Sequence, residues 1–253
     1  MLQLPDRLCM TYRASTTLSQ MAYRVQALPA RLSQADYPSY LMQFIKQFEV
    51  SYRPFSQRDR ARVIIFCRSK ALVDSLYEAL QPYAARFHAS LADDDKLSQL
   101  ERFRGDTLLL VATSGIGAGY DFPDVNLVIH FMPGAYEMTN FMQESGRAGR
   151  SPNHLSWSYC LVQPGQLQLP SAQNEVPLEQ KHFSQYLLDQ LCRRRVISRV
   201  YDNKALESCD PSWNQCDRCA DRLESSLTVS LRVQQQDRQI SKSLDFFERA
   251  VRY

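Results

Sequence analysis

Two arginines near the middle of the chain have the type and spacing of an anion-binding pair. Arg147 and Arg150 end the string Gln-Glu-Ser-Gly-Arg-Ala-Gly-Arg, residues 143–150. A guanidinium group is always charged and offers a planar fork of N–H donors that matches a phosphate or carboxylate. The neighbouring glycines let an anion approach the backbone closely. The string predicts a polyanion site, although the same sequence is compatible with a plain basic helix end or with salt-bridged arginines.

Four cysteines near the carboxyl terminus have the spacing of metal ligands. They follow the pattern C-x16-C-x6-C-x2-C and are Cys192, Cys209, Cys216 and Cys219. A C-x2-C pair offers two thiolates to one Zn²⁺, and two more complete a closed tetrahedral site, which is structural because no position stays open for water. Scattered reduced core cysteines are the alternative, and they account for the other three, which are Cys9, Cys67 and Cys160.

Apolar periodicity predicts the elements that position these residues. Strands alternate with helices, so we predict an α/β fold with a parallel sheet and helices on both faces. The predicted strands are 21–26, 63–66, 85–88, 108–112, 127–131 and 157–162. The predicted helices are 37–52, one that Ser69 caps and Pro82 ends, one from Asp93 to Gly105, 136–146 and 182–195. Ligands of such sheets bind at the carboxyl ends of the strands.

Three closely spaced glycines, Gly115, Gly117 and Gly119, follow one of these strands. They superficially suggest a dinucleotide-binding fingerprint. That fingerprint requires a helix directly behind the glycines, because the helix N-terminus holds the pyrophosphate. Pro123 and the next predicted strand leave no room for such a helix. The dinucleotide interpretation therefore fails, and a glycine turn between two core strands is the simple alternative.

Four segments, taken in order, resemble motifs of superfamily 2 helicases, the RecQ family most of all. Residues 64–70 resemble motif IV, and 111–130 resemble motif V. Residues 88–91 resemble a short His-x-Gly-Leu segment with Ser90 in place of glycine, which weakens any role for His88. Residues 143–150 resemble motif VI. The resemblance implies a second RecA-like lobe, and the cysteines resemble the small helical zinc-binding subdomain that follows this lobe in RecQ helicases. The six-residue gap before Cys216 is wider than in typical members of that family, so Cys209 is the least secure ligand.

The resemblance also implies site residues. Arg147 and Arg150 would stabilise negative charge on a transferred phosphoryl group, and Gln143 would sense the γ-phosphate. The implied ATP-binding residues are Gly119, Asp121, Gln143, Arg147 and Arg150. The implied DNA-binding residues are Arg68, Ser69, Thr113 and Ser114. The implied ligands of a structural Zn²⁺ are Cys192, Cys209, Cys216 and Cys219.

The phosphate-binding half of such an ATPase is missing from this sequence. No glycine is followed by lysine and no aspartate by glutamate, so the Walker A motif and the acidic Mg²⁺ box are both absent. We expect the carboxyl-terminal half of a RecQ-like, ATP-dependent 3′–5′ DNA helicase that is inactive alone and uses ATP and Mg²⁺ only with a complementing first lobe. A fragment, a split helicase half and an inactive remnant are all open. The alternative is a non-catalytic, zinc-stabilised DNA-binding or adaptor protein, and a third interpretation is half of an RNA helicase.

Length and charge set the remaining expectations. A chain of 253 residues holds one full-sized domain and a smaller one. We predict a connecting segment (1–36), a RecA-like lobe (37–168), a zinc-binding subdomain (169–222) and a partly helical tail (223–253). The net charge of +3 does not by itself argue for nucleic acid, and basic clusters such as 193–195 are expected to be solvated. The expected partners are single-stranded or junction DNA and a first-lobe helicase half. The apolar runs are too short for a membrane. The cysteine pattern is typical of a reducing compartment, so we expect an intracellular protein. The resemblance to RecQ helicases implies a nuclear location in a eukaryote and a role in DNA recombination and repair.

Overall fold

The computed structural model describes residues 14–52, 62–105, 107–116, 120–150, 155–167 and 176–225. Within these ranges six parallel strands form one sheet, in the order β1-β6-β5-β2-β4-β3. The strands are β1 (Met21–Ala27), β2 (Arg62–Cys67), β3 (Ala84–Phe87), β4 (Leu109–Ala112), β5 (Val125–Phe131) and β6 (Ser156–Val162). The predicted parallel α/β architecture is confirmed, and each predicted strand lies within two residues of the observed one.

Helices cover both faces of this sheet. They are α1 (Tyr37–Tyr52), α2 (Lys70–Leu80), α3 (Asp93–Arg104), α4 (Met138–Ser145), α5 (Leu178–Leu188) and α6 (Arg193–Asp202). A further helix, α7, spans 217–225. The predicted cap of α2 is present, since Ser69 Oγ accepts a hydrogen bond of 3.2 Å from Leu72 N. No helix among the described residues has the length and apolar character needed to cross a membrane.

Alternate side chains of the central strand β2 divide the core into two layers. Ile64 and Phe66 pack with apolar residues of α3, α4, α5 and α6. Val63 and Ile65 point to the opposite face and pack with α1 and α2. A strand that is buried on both faces reads as a continuous apolar run, which explains the uninterrupted string Val-Ile-Ile-Phe.

Strand β1 extends the sheet at one edge. It pairs with β6 in parallel along its whole length, from Met21 opposite Ser156 to Ala27 opposite Val162. Met21 and Ala22 are fully buried. The segment predicted as a connector before residue 37 thus supplies an edge strand of the sheet. The domain boundaries themselves stay a prediction.

The single helix predicted over 182–195 is wrong, because the structure has two helices there. Helix α5 ends at Leu188, and α6 begins after Cys192, whose backbone is extended (φ −149°, ψ 130°). The break turns the Cys192 side chain towards the other cysteines of the cluster. The Arg193 side chain then donates to the carbonyls of Tyr186 and Leu187 at 2.8 and 2.9 Å, so it satisfies carbonyl groups that the end of α5 leaves free.

Several predictions fall on residues that the structure does not describe. They include Cys9, Gly117 and Gly119 and the part of the tail beyond residue 225. Between β4 and β5, the described residues of the glycine segment contain no helix, in agreement with the rejection of the dinucleotide fingerprint.

Candidate functional site

A cavity of about 800 Å³ opens at the carboxyl edge of the sheet. Its walls come from the end of β2, the segment after β4 and the helix α4. The predicted site residues that line it are Ser114, Asp121, Gln143, Arg147 and Arg150. The fold thus brings two separate sequence motifs, motif V and motif VI, to one cavity.

Arg147 reaches across the cavity floor to the segment after β4. Its Nη1 donates to the Tyr120 carbonyl at 3.0 Å, and its Nη2 donates to the Ile116 carbonyl at 2.6 Å. Burial lowers the pKa of Arg147, and the positive charge of Arg150 lowers it further. The carboxylates of Glu144 and Asp121 act in the opposite direction and raise its pKa. Arg147 brings a planar, positively charged group to the cavity, and such a group suits a phosphate or carboxylate.

Arg150 lies at the more open side of the cavity. Its Nη1 donates to Asp121 Oδ1 at 2.6 Å, and its Nε donates to the Gly146 carbonyl at 3.2 Å. The Asp121 side chain is 68 % exposed, and ion pairs this exposed contribute only about 0–1 kcal/mol. A phosphate can therefore replace the Asp121 carboxylate at little cost.

A buried polar cluster of His130, Tyr136 and Glu144 joins α4 to β5. Glu144, which lies between Gln143 and Arg147 on the cavity wall, is only 6 % exposed. Tyr136 donates its hydroxyl to Glu144 Oε2 at 2.5 Å, and His130 Nε2 lies 3.1 Å from the same oxygen. Burial raises the pKa of Tyr136, and the Glu144 carboxylate raises it further. Sequence reasoning did not single out this cluster, because its members come from three elements.

The predicted nucleic-acid residues lie along the same edge of the sheet. Arg68 and Ser69 follow β2, while Thr113 and Ser114 follow the neighbouring β4. The Ser69 oxygen is used as the cap of α2, and its hydroxyl hydrogen can still be donated. Parallel strands place their carboxyl ends together, and this brings the four residues to one edge.

His88 follows β3 and faces helix α2. It is 6 % exposed, and its Nε2 lies 3.3 Å from Asp74 Oδ1. The same carboxylate accepts a 2.6 Å ion pair from Arg86. These contacts join β3 to α2 and give His88 a structural role. The sequence already made a functional role for His88 doubtful, because Ser90 replaces the glycine of the motif.

The four carboxyl-terminal cysteines form one buried cluster. Their sulfur atoms all lie within 4.8 Å of one another. Cys192 Sγ lies 3.8 Å from Cys209 Sγ and 3.9 Å from Cys216 Sγ. Four sulfur atoms at about 2.3 Å from a tetrahedral Zn²⁺ are about 3.8 Å apart. The cluster therefore has the donor set and spacing for a structural metal ion such as zinc.

Cations and N–H groups surround the sulfur atoms. Arg194 Nη1 donates to Cys209 Sγ at 2.6 Å, and Arg222 Nη2 donates to Cys219 Sγ at 3.1 Å. Hydrogen bonds with Cys192 and Cys216 lower the pKa of Cys209, burial opposes this, and Arg194 lowers it further. The thiolate is the form that binds metal. Cys209, the least secure ligand candidate, thus lies inside the cluster and receives a hydrogen bond from a buried arginine.

Two arginines of the 193–195 run are buried, and the expectation that they are solvated is wrong. Arg193 is 1 % exposed and Arg194 is 0 % exposed. Besides Cys209, the Arg194 guanidinium donates to the carbonyls of Leu18, Met21 and Asn214. It thereby ties the cysteine cluster to the residues that lead into β1.

Asp217 makes a second connection between the cluster and the sheet. It lies between Cys216 and Cys219, and its carboxylate accepts from Arg193 Nε at 2.9 Å and Nη2 at 2.8 Å. Its Oδ2 also accepts from the backbone N–H of Val25 at 3.1 Å. The carboxylate therefore satisfies a donor on the open edge of β1. No sequence pattern singled out Asp217.

Comparisons with known proteins show what the chain is similar to. Residues 38–152 match the family model described as "Helicase conserved C-terminal domain". The chain is 30% identical over 173 residues to the ATP-dependent DNA helicase RecQ of Bacillus subtilis, and the aligned region covers 62% of this chain and 28% of that protein. It is 27% identical over 224 residues to the ATP-dependent DNA helicase Q1 of Mus musculus, covering 83% and 32%. It is 30% identical over 184 residues to the probable ATP-dependent RNA helicase ddx41 of Dictyostelium discoideum, covering 64% and 27%.

The parallel α/β fold and the match over residues 38–152 show that this part of the chain carries a helicase C-terminal domain. Within that class the domain is related to the RecQ DNA helicases. The chain spans about a third or less of the length of these relatives.

Proposed function

We propose that the chain is the second RecA-like lobe of a RecQ-like, ATP-dependent 3′–5′ DNA helicase. The observation that carries the proposal is that Gln143, Arg147 and Arg150 line one cavity with Asp121 at the carboxyl edge of the sheet. In this proposal a first lobe holds ATP and Mg²⁺ against the cavity, and the two lobes together form the ATPase site. The sense of translocation rests on the resemblance to RecQ alone.

The electrostatics of the cavity support two arginines acting on a phosphate. As ATP is cleaved, charge is spread over the oxygens of the γ-phosphoryl group. Arg147 is already oriented by two backbone carbonyls, so little reorganisation is needed when that charge develops. Arg150 can exchange its exposed Asp121 partner for a phosphate oxygen. Gln143, one helical turn before Arg147, would contact the γ-phosphate.

The cysteine cluster supports a structural Zn²⁺. Four thiolates around one Zn²⁺ carry a net charge of about −2. Arg194 and Arg222 each donate to a sulfur atom of the cluster, so two positive charges lie where this negative charge would be. Cys192, Cys209, Cys216 and Cys219 would hold the ion, and its binding would fasten α6 and α7 to the edge of the sheet.

DNA is the proposed nucleic acid because the cysteine cluster follows the lobe as in RecQ helicases. Arg68, Ser69, Thr113 and Ser114 would contact the backbone of one strand. Contacts of this kind read phosphates and little base sequence, so binding should weaken as salt rises. Competition between labelled single-stranded DNA and unlabelled RNA of the same length tests the choice. Stronger competition by RNA than by DNA would favour the RNA-helicase interpretation.

An ATPase assay tests the motor proposal. We expect the chain alone to show no DNA-stimulated ATP hydrolysis and a mixture with a helicase first lobe to show it. Arg147→Ala should lower the rate of the mixture by about a thousandfold, the effect of losing an arginine finger. Arg199→Ala is the matched control, because Arg199 is exposed on α6 and, within the described part of the chain, bonds only to Gln185 Oε1.

The possible outcomes separate the main proposal from its alternative. Hydrolysis by the Arg147→Ala mixture at the wild-type rate would refute the arginine role. Turnover by the chain alone that Arg147→Ala abolishes would refute the need for a first lobe. The alternative is a non-catalytic DNA-binding or adaptor protein, and the contacts of Arg147 and Arg150 within the chain favour it. Salt-dependent DNA binding without hydrolysis in any mixture would support that alternative.

A further inference from the structure

The chain leaves β5 beside Arg68 with an unusual backbone. Strands β2 and β5 are neighbours, and Cys67 at the end of β2 pairs with Phe131 at the end of β5. Arg68 follows Cys67 directly. Beyond Phe131 the chain enters the left-handed region twice, at Met132 (φ 49°) and at Gly134 (φ 67°). These turns bring the backbone of residue 134 against the side chain that emerges from β2.

The Arg68 side chain lies directly on Gly134. A Cβ atom at position 134 would clash with Arg68 Nη1 and would lie 3.3 Å from Cζ and 3.5 Å from Cδ. Any other residue would therefore displace the guanidinium group, and this costs little because the group ends a flexible side chain. The positive φ independently favours glycine. Glycine at this position thus leaves the space in which the guanidinium group lies.

The hydrogen-bond donors of Arg68 are not used inside the lobe. Across the described ranges no hydrogen bond or ion pair involves its side chain, which is exposed. The guanidinium lies against Gly134, and its N–H groups stay available. Helix α2 begins two residues later, at Lys70, and its N-terminal dipole adds to the attraction for an anion. A guanidinium with available donors suits a phosphate.

We propose that Gly134 is a positioning residue for nucleic-acid binding, which holds the Arg68 guanidinium ready to contact a backbone phosphate. The proposal rests on the proposed function, in which residues at this edge of the sheet contact DNA. Positioning lowers the rotamer entropy that a long side chain loses on binding. Gly134 would act through Arg68 and would not touch the nucleic acid.

A double-mutant cycle tests this coupling. The full chain is titrated into fluorescein-labelled oligothymidylate, and fluorescence anisotropy is measured over a range of salt concentrations. Arg68→Ala should weaken binding roughly tenfold, as expected for one charge-assisted hydrogen bond, and should reduce the salt slope by about 0.7. Gly134→Ala should weaken binding about threefold, since a displaced Arg68 must be immobilised on binding. The double variant should bind like Arg68→Ala.

Two further variants guard against a simple folding defect. Gly134→Asn also fills the space beside Arg68, yet asparagine tolerates positive φ better than alanine does. Gly165→Ala is the matched control, because Gly165 follows β6 at the same edge of the sheet and a Cβ there would meet nothing within 4 Å. It should bind like the wild type. Gly134→Asn should weaken binding as Gly134→Ala does while keeping the thermal unfolding midpoint closer to that of the wild type.

The outcomes distinguish this proposal from the proposed function. The positioning role would be overturned if Gly134→Ala bound DNA like the wild type. It would also be overturned if the Gly134→Ala substitution weakened binding by the same factor in the Arg68→Ala variant as in the wild type. An Arg68→Ala variant that keeps full affinity and the full salt slope while the wild type binds DNA would overturn it as well. A wild-type chain without salt-dependent binding would instead refute the proposed DNA contacts.

Discussion

The most informative perturbation of this protein is the loss of the buried charge that ties the cysteine cluster to the sheet. Arg194 is fully buried, and its guanidinium lies over the rings of Tyr23 and Trp213, at 5.4 and 5.2 Å from their centres. We consider Arg194→Met, because methionine keeps an apolar, unbranched stem between the two rings. The substitution therefore removes the donors and the charge with little change in packing.

The structure allows the magnitude to be estimated. The change leaves the Met21 carbonyl without its buried donor, which costs about 1–3 kcal/mol, and the partly buried carbonyls of Leu18 and Asn214 add less. Relief of the desolvation of the guanidinium offsets part of this loss. We expect the free energy of unfolding to fall by about 3 kcal/mol. For a chain of this size that is a decrease of roughly 6–12 °C in the unfolding temperature.

Urea unfolding followed by tryptophan fluorescence measures this change. Trp213 lies against Arg194, so its emission reports on the cluster itself. Arg195→Met is the matched control, since Arg195 is the next residue and its side chain is 32% exposed. Its ion pairs to Asp189 and Glu207 are 3.8 and 3.5 Å long, and we expect a loss below about 1 kcal/mol. Equal losses for the two variants, or a loss below about 1 kcal/mol for Arg194→Met, would refute the anchoring role.

Two further predictions concern metal content and pH. Elemental analysis should find about one zinc per chain, and Cys219→Ser should lose both the metal and cooperative unfolding. Cys160 lies on β6 outside the cluster, so the control variant Cys160→Ala should keep its zinc. A stable, metal-free wild type would contradict the assignment. Burial raises the pKa of Tyr23 from 10.0 to about 12. The contribution of its neutral hydroxyl to the free energy of unfolding is therefore fully present below pH 10 and is lost as the pH rises to about 12. The loss amounts to about 3 kcal/mol. Urea unfolding of Tyr23→Phe should therefore show a smaller decrease over this range, and identical pH profiles would disprove the attribution.

The sheet could be predicted because its strands are buried on both faces. Such strands must be continuous apolar runs, and the helices between them carry their own caps and periodicity. Ser69 marks the start of α2, and Gly105 marks the end of α3. These signals are local, because each depends on only a few consecutive residues.

The break between α5 and α6 could not be predicted in the same way. Residues 182–195 have helical periodicity, and nothing local forbids one helix. The break is decided by Cys192, which must face three sulfur atoms that come from 17 to 27 residues further along the chain. Tertiary contacts of this kind outweigh local propensity, which is only a weak preference.

The sequence by itself determined the types of chemistry that are available, namely paired arginines with glycines, four thiols at metal-ligand spacing and a parallel α/β sheet to carry them. Only the tertiary structure decided which of these groups meet and which charges are buried. Arg194 belongs to a basic run that the sequence predicts to be solvated, yet it is buried and anchors the cysteine cluster, while Arg147 lines a cavity. Even the space for Arg68 depends on Gly134, 66 residues away. The physical reason is that desolvation and packing depend on neighbours in space, and residues distant in the chain supply most of those neighbours.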